Sequence, residues 1–180
     1  MNKALIIIDM QNDYFEGGKN CLVDSHQASL QAAKILEYFR SHSLPVIYIQ
    51  HLASRPDATF FIPNSVGAEM HENVKPLQND KIVVKYFPNS FRGTDLLQYL
   101  QTNNISDLVI CGMMTQMCVD ATVRAAKDYG YECTLIGDAC ATKNLEIFGQ
   151  TVLANDVQNS FLASLNYFYA KVMTTDEFLA

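Results

Sequence analysis

Three side chains with acid–base or nucleophilic chemistry each follow a short apolar run in this sequence. Asp9 comes directly after the first run, Lys85 ends a later one, and Cys118 lies just past the run that begins at residue 107. A cysteine acts as a nucleophile when a base takes its proton and a cation stabilises the thiolate. An aspartate and a lysine can supply these two functions. If the three side chains meet, the sequence predicts catalysis by an activated thiol.

The elements that must bring these side chains together are strands that alternate with helices. Helical spacing of apolar residues predicts helices between the apolar runs, and Ser25, Thr94 and Thr174 are candidate capping residues. The predicted strands cover residues 4–8, 45–51, 81–85, 107–112, 132–137 and 171–173. This alternation predicts an α/β fold with a parallel sheet that is covered on both faces.

The carboxyl ends of parallel strands lie along one edge of such a sheet, and ligands bind there. Asp9, Lys85 and Cys118 can therefore meet if their strands are neighbours. Cys118 also opens a predicted helix, whose unpaired N–H groups and dipole favour an anion, so its thiol is expected to ionise more readily than a free one. The long segment 52–80 has no clear period and is expected to cover the site.

Each of the three residues also has an ordinary structural explanation. A single buried cysteine is most often part of the core, an aspartate after a strand is often a cap, and a lysine at a strand end is usually solvated. The combination favours a function, because thiol activation needs both a base and a cation.

Composition limits the class of protein. The 180 residues predict one domain over 1–180, and the net charge of −6 argues against nucleic acid or an anionic membrane as a partner. The five cysteines form no C-x-x-C pair and are expected to be reduced thiols. No apolar run approaches the length of about 18 residues that marks a membrane span. A cytoplasmic protein is expected.

Three ordered blocks of the sequence resemble the signature of the isochorismatase-like cysteine hydrolases, a superfamily that includes nicotinamidases and N-carbamoylsarcosine amidohydrolase. The blocks are Asp9 to Gly18, Lys85 with Asn89 to Phe91, and Gly112 to Val119. The resemblance implies a Rossmann-like three-layer α/β/α sandwich with a six-stranded parallel sheet. It also implies that Asp9, Lys85 and Cys118 form a catalytic triad.

The resemblance further implies a cis peptide bond between Met113 and Met114. The backbone N–H groups of Met114 and Cys118 would then form an oxyanion hole. The predicted function is a metal-independent cysteine hydrolase that cleaves the C–N bond of a small amide or ureido substrate through a thioester. True isochorismatases of this fold lack the nucleophilic cysteine, so Cys118 argues against that activity.

Nicotinamidases of this superfamily hold a metal ion through one aspartate and three histidines, beginning with a D-x-H tripeptide. The matching residues here are Ile49, Gln50 and His51. The aspartate ligand is therefore replaced by isoleucine, and of the tripeptide only the histidine remains. Because even catalytic zinc usually keeps three protein ligands, no metal and no other cofactor are expected. A nicotinamidase-type amidase stays open as a second possibility.

The substrate pocket and the partners are less defined by the sequence. His51 is more simply explained as a polar strand end that faces solvent or the covering segment 52–80 than as a substrate contact. The candidate pocket residues are Tyr14, His51, Phe91 and Met117. The sequence is also compatible with a redox-responsive thiol protein or a catalytically silent assembly subunit. A small-molecule substrate and a homo-oligomer, a dimer or larger, are expected, with the helix over 155–170 as a candidate interface.

Overall fold

A central sheet of six parallel strands organises the molecule, and the computed structural model describes residues 2–180 of it. The strands of this sheet are β1 (Lys3–Ile8), β2 (Val46–His51), β3 (Lys81–Lys85), β4 (Asp107–Met113), β5 (Glu132–Ala141) and β8 (Lys171–Met173). Their order across the sheet is β3-β2-β1-β4-β5-β8. A separate antiparallel hairpin consists of β6 (Leu145–Ile147) and β7 (Gln150–Val152).

Helices cover both faces of the sheet, which confirms the predicted three-layer α/β/α sandwich. They are α1 (Ser25–Ser41), α2 (Leu96–Thr102), α3 (Asp120–Asp128), α4 (Ala154–Phe168) and α5 (Thr175–Leu179). One core cluster combines α1 and α5 with one face of the sheet, and the other combines α2, α3 and α4 with the opposite face.

The central strand β1 shows why the strands of this sheet are continuous apolar runs in the sequence. Its residues Ala4 to Ile8 are all fully buried. Leu5 and Ile7 pack into the cluster with α1, whereas Ile6 and Ile8 pack into the cluster on the other face. Because both faces of a parallel sheet are covered, its strands need apolar residues at every position.

The order of the strands decides where the site lies. β1 pairs with β2 on one side and with β4 on the other, and the chain reverses its direction of winding between β1 and β4. In open α/β sheets, ligands bind outside the carboxyl ends of the strands at such a switch point. Asp9 follows β1, and the turn that carries Cys118 follows β4.

Several predicted boundaries differ from the observed ones. Ser25 is the first residue of α1 rather than its cap, and Asp24 precedes it with φ 56°. β5 continues beyond residue 137 to Ala141. The sequence predicted no element at the β6–β7 hairpin, whose turn residues Phe148 and Gly149 have φ of 51° and 73°. Positive φ at both turn residues is typical of type I′ hairpins, where phenylalanine is an unusual choice.

The segment 52–80 contains no strand and only two short helical turns, Val66–Ala68 and Glu72–Val74. The buried carboxylate of Asp13 fixes this segment to the sheet edge, since its Oδ2 accepts a hydrogen bond from the Phe61 backbone N–H at 2.7 Å. A Cβ at Gly67 would overlap the same carboxylate, so a larger residue there would displace Asp13 from its bond to Phe61. No helix among residues 2–180 combines the length and the apolar character that a membrane crossing needs.

Candidate active site

Asp9 directly follows β1 and is fully buried. Its φ of 50° lies in the left-handed region, which aspartate adopts more readily than most residues. Its backbone N–H donates a hydrogen bond to the Ile49 carbonyl at 3.0 Å, which continues the pairing of β1 with β2. The backbone therefore holds the Asp9 carboxylate at the end of the strand.

Lys85 is the last residue of β3 and is also fully buried. Its Nζ donates to three acceptors: Asp9 Oδ2 at 2.7 Å, His51 Nδ1 at 2.9 Å and Cys118 Sγ at 3.2 Å. An ammonium group has three N–H bonds, and all of them are used here. Burial alone lowers the pKa of Lys85, but the Asp9 carboxylate and Cys118 outweigh burial and raise this pKa above its usual 10.5. Lys85 is therefore a cation in the free protein.

Cys118 lies in a π-helical turn, Thr115–Val119, that connects β4 to α3. Only 4% of the residue is exposed. Burial raises the pKa of the Cys118 thiol, the Asp9 carboxylate raises it further, and Lys85 lowers it by a smaller amount. The expectation that the helix start makes this thiol ionise readily is therefore wrong. Desolvation and the Asp9 charge dominate, so the resting thiol keeps its proton.

The second carboxylate oxygen of Asp9 is the most informative atom of the site. Asp9 Oδ1 is buried and has no hydrogen-bond partner among residues 2–180, whereas Oδ2 is bonded to Lys85. A carboxylate oxygen of Asp9 also lies within 4.8 Å of Cys118 Sγ. An unpaired buried acceptor is costly, so its presence needs an explanation, and a catalytic role is one such explanation.

His51 reaches the same cluster from the end of β2. The ring lies near Phe61 of the segment 52–80, in line with the expectation that it faces solvent or that segment, but its Nδ1 faces Lys85, which the sequence did not predict. The Gln11 side chain fixes its backbone: Nε2 of Gln11 donates to the His51 carbonyl and Oε1 accepts from the His51 N–H, each at 2.8 Å. Sequence reasoning missed Gln11, whose only signal was its place between Asp9 and Asp13 in the first block.

A metal ion does not fit this cluster. Ligand atoms of Asp9, His51 and Cys118 lie within 4.8 Å of one another, which is the one such group found among residues 2–180. However, Lys85 Nζ is bonded to all three residues and occupies the place that a cation would take. Ile49, which stands where nicotinamidases have their aspartate, is buried and offers no ligand atom. The absence of a metal cofactor stays a prediction.

Beside His51 lies a cavity of about 260 Å³. Its lining combines aromatic rings with polar and charged side chains. The lining residues are His51, Ala53, Ser54, Arg55, Asp57, Ala58, Thr59, Phe60, Phe61, Tyr86 and Phe87. Most of them belong to the segment 52–80, for which the sequence predicted a cover but no individual pocket residue. A larger cavity of about 370 Å³ lies between α1, β5 and α4. Neither cavity is lined by Asp9, Lys85 or Cys118, but the smaller one includes His51, which contacts Lys85.

The remaining candidate pocket residues have different surroundings. Tyr14 is buried, its ring meets that of Phe61 edge to face at 4.7 Å, and burial followed by the charges of Cys118 and Asp9 raises its pKa. Tyr14 is therefore a neutral phenol that contacts Phe61 of the cavity lining and lies near the triad.

Phe91 packs against Tyr129, with ring centroids 5.1 Å apart, in the core beside α2 and α3, and it does not line the cavity. Its ring packs against the rings of Tyr129 and Tyr131 instead of facing the cavity. Met117 is 44% exposed. Met114 precedes the π-helical turn, and the peptide bond between Met113 and Met114 is cis, as the resemblance implied.

Comparison with known proteins places this arrangement in a family. Residues 3–177 match the model of the isochorismatase domain. The chain belongs to the isochorismatase family. An isochorismatase family protein of Bacillus subtilis, YddQ, is 48% identical over 99% of this chain and 99% of its own length. The crystal structure of a family member from Oleispira antarctica has a TM-score of 0.95 and 45% identity, covering 99% of this chain and 96% of that one.

A more distant relative is named for its activity. The nicotinamidase of Escherichia coli is 25% identical over 80% of this chain and 85% of its own length. Membership of the isochorismatase family establishes a hydrolase fold for this chain, with Asp9, Lys85 and Cys118 gathered at the carboxyl edge of its sheet.

Proposed function

We propose that this protein is a metal-independent cysteine hydrolase that cleaves the C–N bond of a small amide or ureido substrate through a thioester. The observation that carries the proposal is the Asp9 carboxylate: Oδ2 is bonded to Lys85, Oδ1 is buried without a partner among residues 2–180, and one of the two oxygens lies within 4.8 Å of Cys118 Sγ. This is the arrangement that a base for the thiol proton needs.

In the first half of the reaction, Asp9 Oδ1 takes the proton of Cys118 as Sγ attacks the carbonyl carbon of the substrate. A C–S bond forms, and the carbonyl oxygen becomes an oxyanion. Because the resting thiol has a raised pKa, proton transfer accompanies the attack instead of preceding it. Lys85 offsets the negative charge of Asp9 before the transfer and the charge that develops on the sulfur during it, since it contacts both side chains.

The oxyanion is stabilised by backbone N–H groups at the start of the helical segment. Met114 is the residue before the π-helical turn and Cys118 lies within it. N–H groups in the first turn of a helix have no partner within the helix and point toward an anion. We assign the Met114 and Cys118 N–H groups to this role.

In the second half, protonated Asp9 gives its proton to the leaving nitrogen as the C–N bond breaks, which leaves an acyl thioester on Cys118. Asp9 then takes a proton from a water molecule that attacks the thioester carbonyl. The C–S bond breaks, the acid is released, and the proton returns to the sulfur. No metal-bound water is needed, because Asp9 is the base in both halves.

The cavity beside His51 limits the substrate. A volume of about 260 Å³ admits a small molecule, and the rings of Phe60, Phe61 and Phe87 favour a flat or apolar group. The distant relative named nicotinamidase supports an amide as the substrate class. Nicotinamide itself is not favoured, since the metal ligands expected of a nicotinamidase do not fit here.

A redox-responsive role for Cys118 is less well supported. Redox-sensor cysteines are accessible and have low pKa values. Cys118 is 4% exposed, and burial raises the pKa of its thiol. A sensor would also have no use for the buried pair of Asp9 and Lys85.

A panel of small primary amides, ureas and carbamoyl compounds tests the proposal through the release of ammonia or amine. The wild-type protein is expected to hydrolyse at least one class, and Cys118→Ala to lose about 10⁴-fold or more in kcat/KM. Rapid acid quenching followed by mass spectrometry should find an acyl group on Cys118. EDTA should leave the rate unchanged.

The matched control is Cys21→Ala, because Cys21 is exposed and its Sγ is hydrogen-bonded to the Leu22 carbonyl, not to a triad side chain. This variant should keep the wild-type rate. Hydrolysis that survives in Cys118→Ala, or an acyl group found on another residue, would overturn the proposed mechanism.

A further inference from the structure

The hydrogen bond between His51 and Lys85 determines the protonation of the His51 ring. Lys85 Nζ lies 2.9 Å from His51 Nδ1, and an ammonium group can only donate. Nδ1 must therefore accept, so it carries no proton. In a neutral imidazole the single proton then belongs to Nε2.

The neutral form is the stable one at this position. Burial lowers the pKa of His51 below its usual 6.5, and the Lys85 cation lowers it further, whereas Asp9 acts in the opposite direction to a smaller extent. A protonated His51 would place two cations in contact and lose the acceptor at Nδ1. The ring therefore stays neutral at pH 7, with its proton on Nε2.

The position of the ring is fixed from two sides. Gln11 holds the backbone N–H and carbonyl of His51, and the ring of Phe61 lies 5.8 Å from the imidazole. His51 also lines the cavity of about 260 Å³, and its side chain is 21% exposed. Nε2 has no hydrogen-bond partner among residues 2–180, so its proton is available to a ligand in that cavity.

We propose that His51 determines specificity by two contacts. Its Nδ1 positions Lys85 against Asp9 and Cys118, and its Nε2–H donates a hydrogen bond to the substrate. The preferred substrate is then a small amide whose cavity-side group is flat and carries an acceptor, such as a carbonyl or carboxylate oxygen or an aromatic nitrogen. The substrate contact rests on the proposed function, whereas the protonation pattern of His51 does not.

NMR of protein labelled with ¹⁵N-histidine tests the protonation pattern directly. The chain has four histidines, so single variants assign each signal. At pH 7 His51 is expected as the neutral Nε2–H tautomer. His42 is an internal reference of opposite kind, since its Nδ1 lies 2.8 Å from the Tyr38 carbonyl and must carry a proton to bond there. A charged ring or an Nδ1–H tautomer at His51 would overturn the inference.

Two substitutions separate the two contacts of His51. His51→Asn places its carbonyl oxygen where Nδ1 was and keeps an acceptor for Lys85, but it loses the donor at Nε2. His51→Gln extends its amide to the Nε2 position and keeps a donor for the substrate, but it loses the acceptor for Lys85. With the best amide of the panel, His51→Asn is expected to raise KM about tenfold with little change in kcat.

His51→Gln is expected to keep KM within about threefold and to lower kcat by about 10- to 100-fold, because Lys85 is no longer held in place. His26→Asn, at an exposed histidine, is the control and should change neither constant. Equal losses in both His51 variants, or no loss in either, would overturn the two-contact assignment. If no amide of the panel is hydrolysed, the proposed function is refuted. The NMR experiment needs no substrate, so it still decides the protonation of His51.

Discussion

The chemistry of this protein depends on one buried ion pair. Asp9 and Lys85 are both fully buried and lie 2.7 Å apart. Removing one partner of such a pair leaves an uncompensated charge in the interior, whereas removing both charges is often close to neutral. Stability and activity should therefore respond differently to substitution of the pair.

Asp9→Asn and Lys85→Met are each expected to lower the free energy of unfolding by about 3–5 kcal/mol. The double variant should recover much of this loss, because no unpaired charge remains, but it should stay inactive since the base and the cation are both gone. Urea unfolding and the amide assay measure the two properties.

Lys81→Met is the matched control on the same strand. Lys81 pairs with Asp95 near the surface, and that pair is partly solvated. Its loss should cost less than about 1 kcal/mol. A double variant at Asp9 and Lys85 that is less stable than both single variants would contradict the argument from unpaired charge.

The state of the Cys118 thiol gives a second prediction at this scale. Because burial and Asp9 raise the pKa of Cys118 above its usual 9.0, its thiolate is scarce at pH 7. Alkylation by iodoacetamide should be slower at Cys118 than at the exposed Cys21 at pH 7, and the rate at Cys118 should still be rising above pH 9. Peptide mass spectrometry across pH 6–10 measures both rates.

In Asp9→Asn the charge that raises this pKa is absent while Lys85 remains. The rise in the alkylation rate of Cys118 should therefore move to lower pH. A wild-type rate that is already constant below pH 8 would show that the resting residue is a thiolate, contrary to the structure.

At the scale of elements, the close approach of β1 and β4 positions the triad. Ile8 pairs with Gly112 immediately before Asp9. Gly112 has φ 143°, and a Cβ there would overlap backbone and side-chain atoms of Ile8. Glycine is therefore required for the two strands to stay paired where Asp9 leaves the sheet.

Gly112→Ala should lower the free energy of unfolding by about 2 kcal/mol or more and should reduce kcat in the fraction that folds, since Asp9 is displaced. Gly149→Ala is the control. Gly149 also has positive φ but lies in open space, so its substitution should cost only about 1 kcal/mol of backbone strain. Equal activity of the two variants would contradict the role assigned to Gly112.

For the whole molecule, the buried thiols make stability depend on alkaline pH. Burial raises the pKa of Cys111, Cys118, Cys133 and Cys140, to about 12 in the case of Cys133 and of Cys140. A group with a raised pKa in the folded state contributes stability below its usual pKa, and this stability is lost as pH rises. The loss should begin near pH 9, which is the usual thiol value.

Urea unfolding under reducing conditions should therefore show a falling free energy of unfolding between pH 9 and 11, with a slope of up to about 1.4 kcal/mol per pH unit for each thiol. Cys140→Ala should make this slope shallower, since one buried thiol is removed. An unfolding midpoint that stays constant from pH 8 to pH 10.5 would be inconsistent with protonated thiols in the core.

Three expectations from the sequence stay predictions at this scale. A homo-oligomer is measured by light scattering, and the exposed rings of Tyr167 and Phe168 on α4 are the first residues to substitute if one is found. A cytoplasmic location is measured by fractionation of cells. The small-molecule substrate is measured by the amide panel.

The sequence by itself determined the architecture. It also supported the hypothesis that three candidate residues form one catalytic site. Short apolar runs that alternate with helical spacing are local patterns in the sequence, and this alternation predicts a parallel sheet with helices on both faces. Asp9, Lys85 and Cys118 were recognisable because strand ends share one edge, and the structure places Asp9 and Cys118 within hydrogen-bonding distance of Lys85 Nζ.

Only the tertiary structure decided the electrostatics and the shape of the site. The protonation of Cys118 depends on burial and on a carboxylate 109 positions earlier in the chain, which no local pattern encodes. The same holds for His51, whose role depends on contacts with Lys85 and Gln11. Phe61 became part of the cavity because Asp13 fixes its backbone. Desolvation and long-range contacts exist only after the chain has folded, so these properties had to be seen in three dimensions.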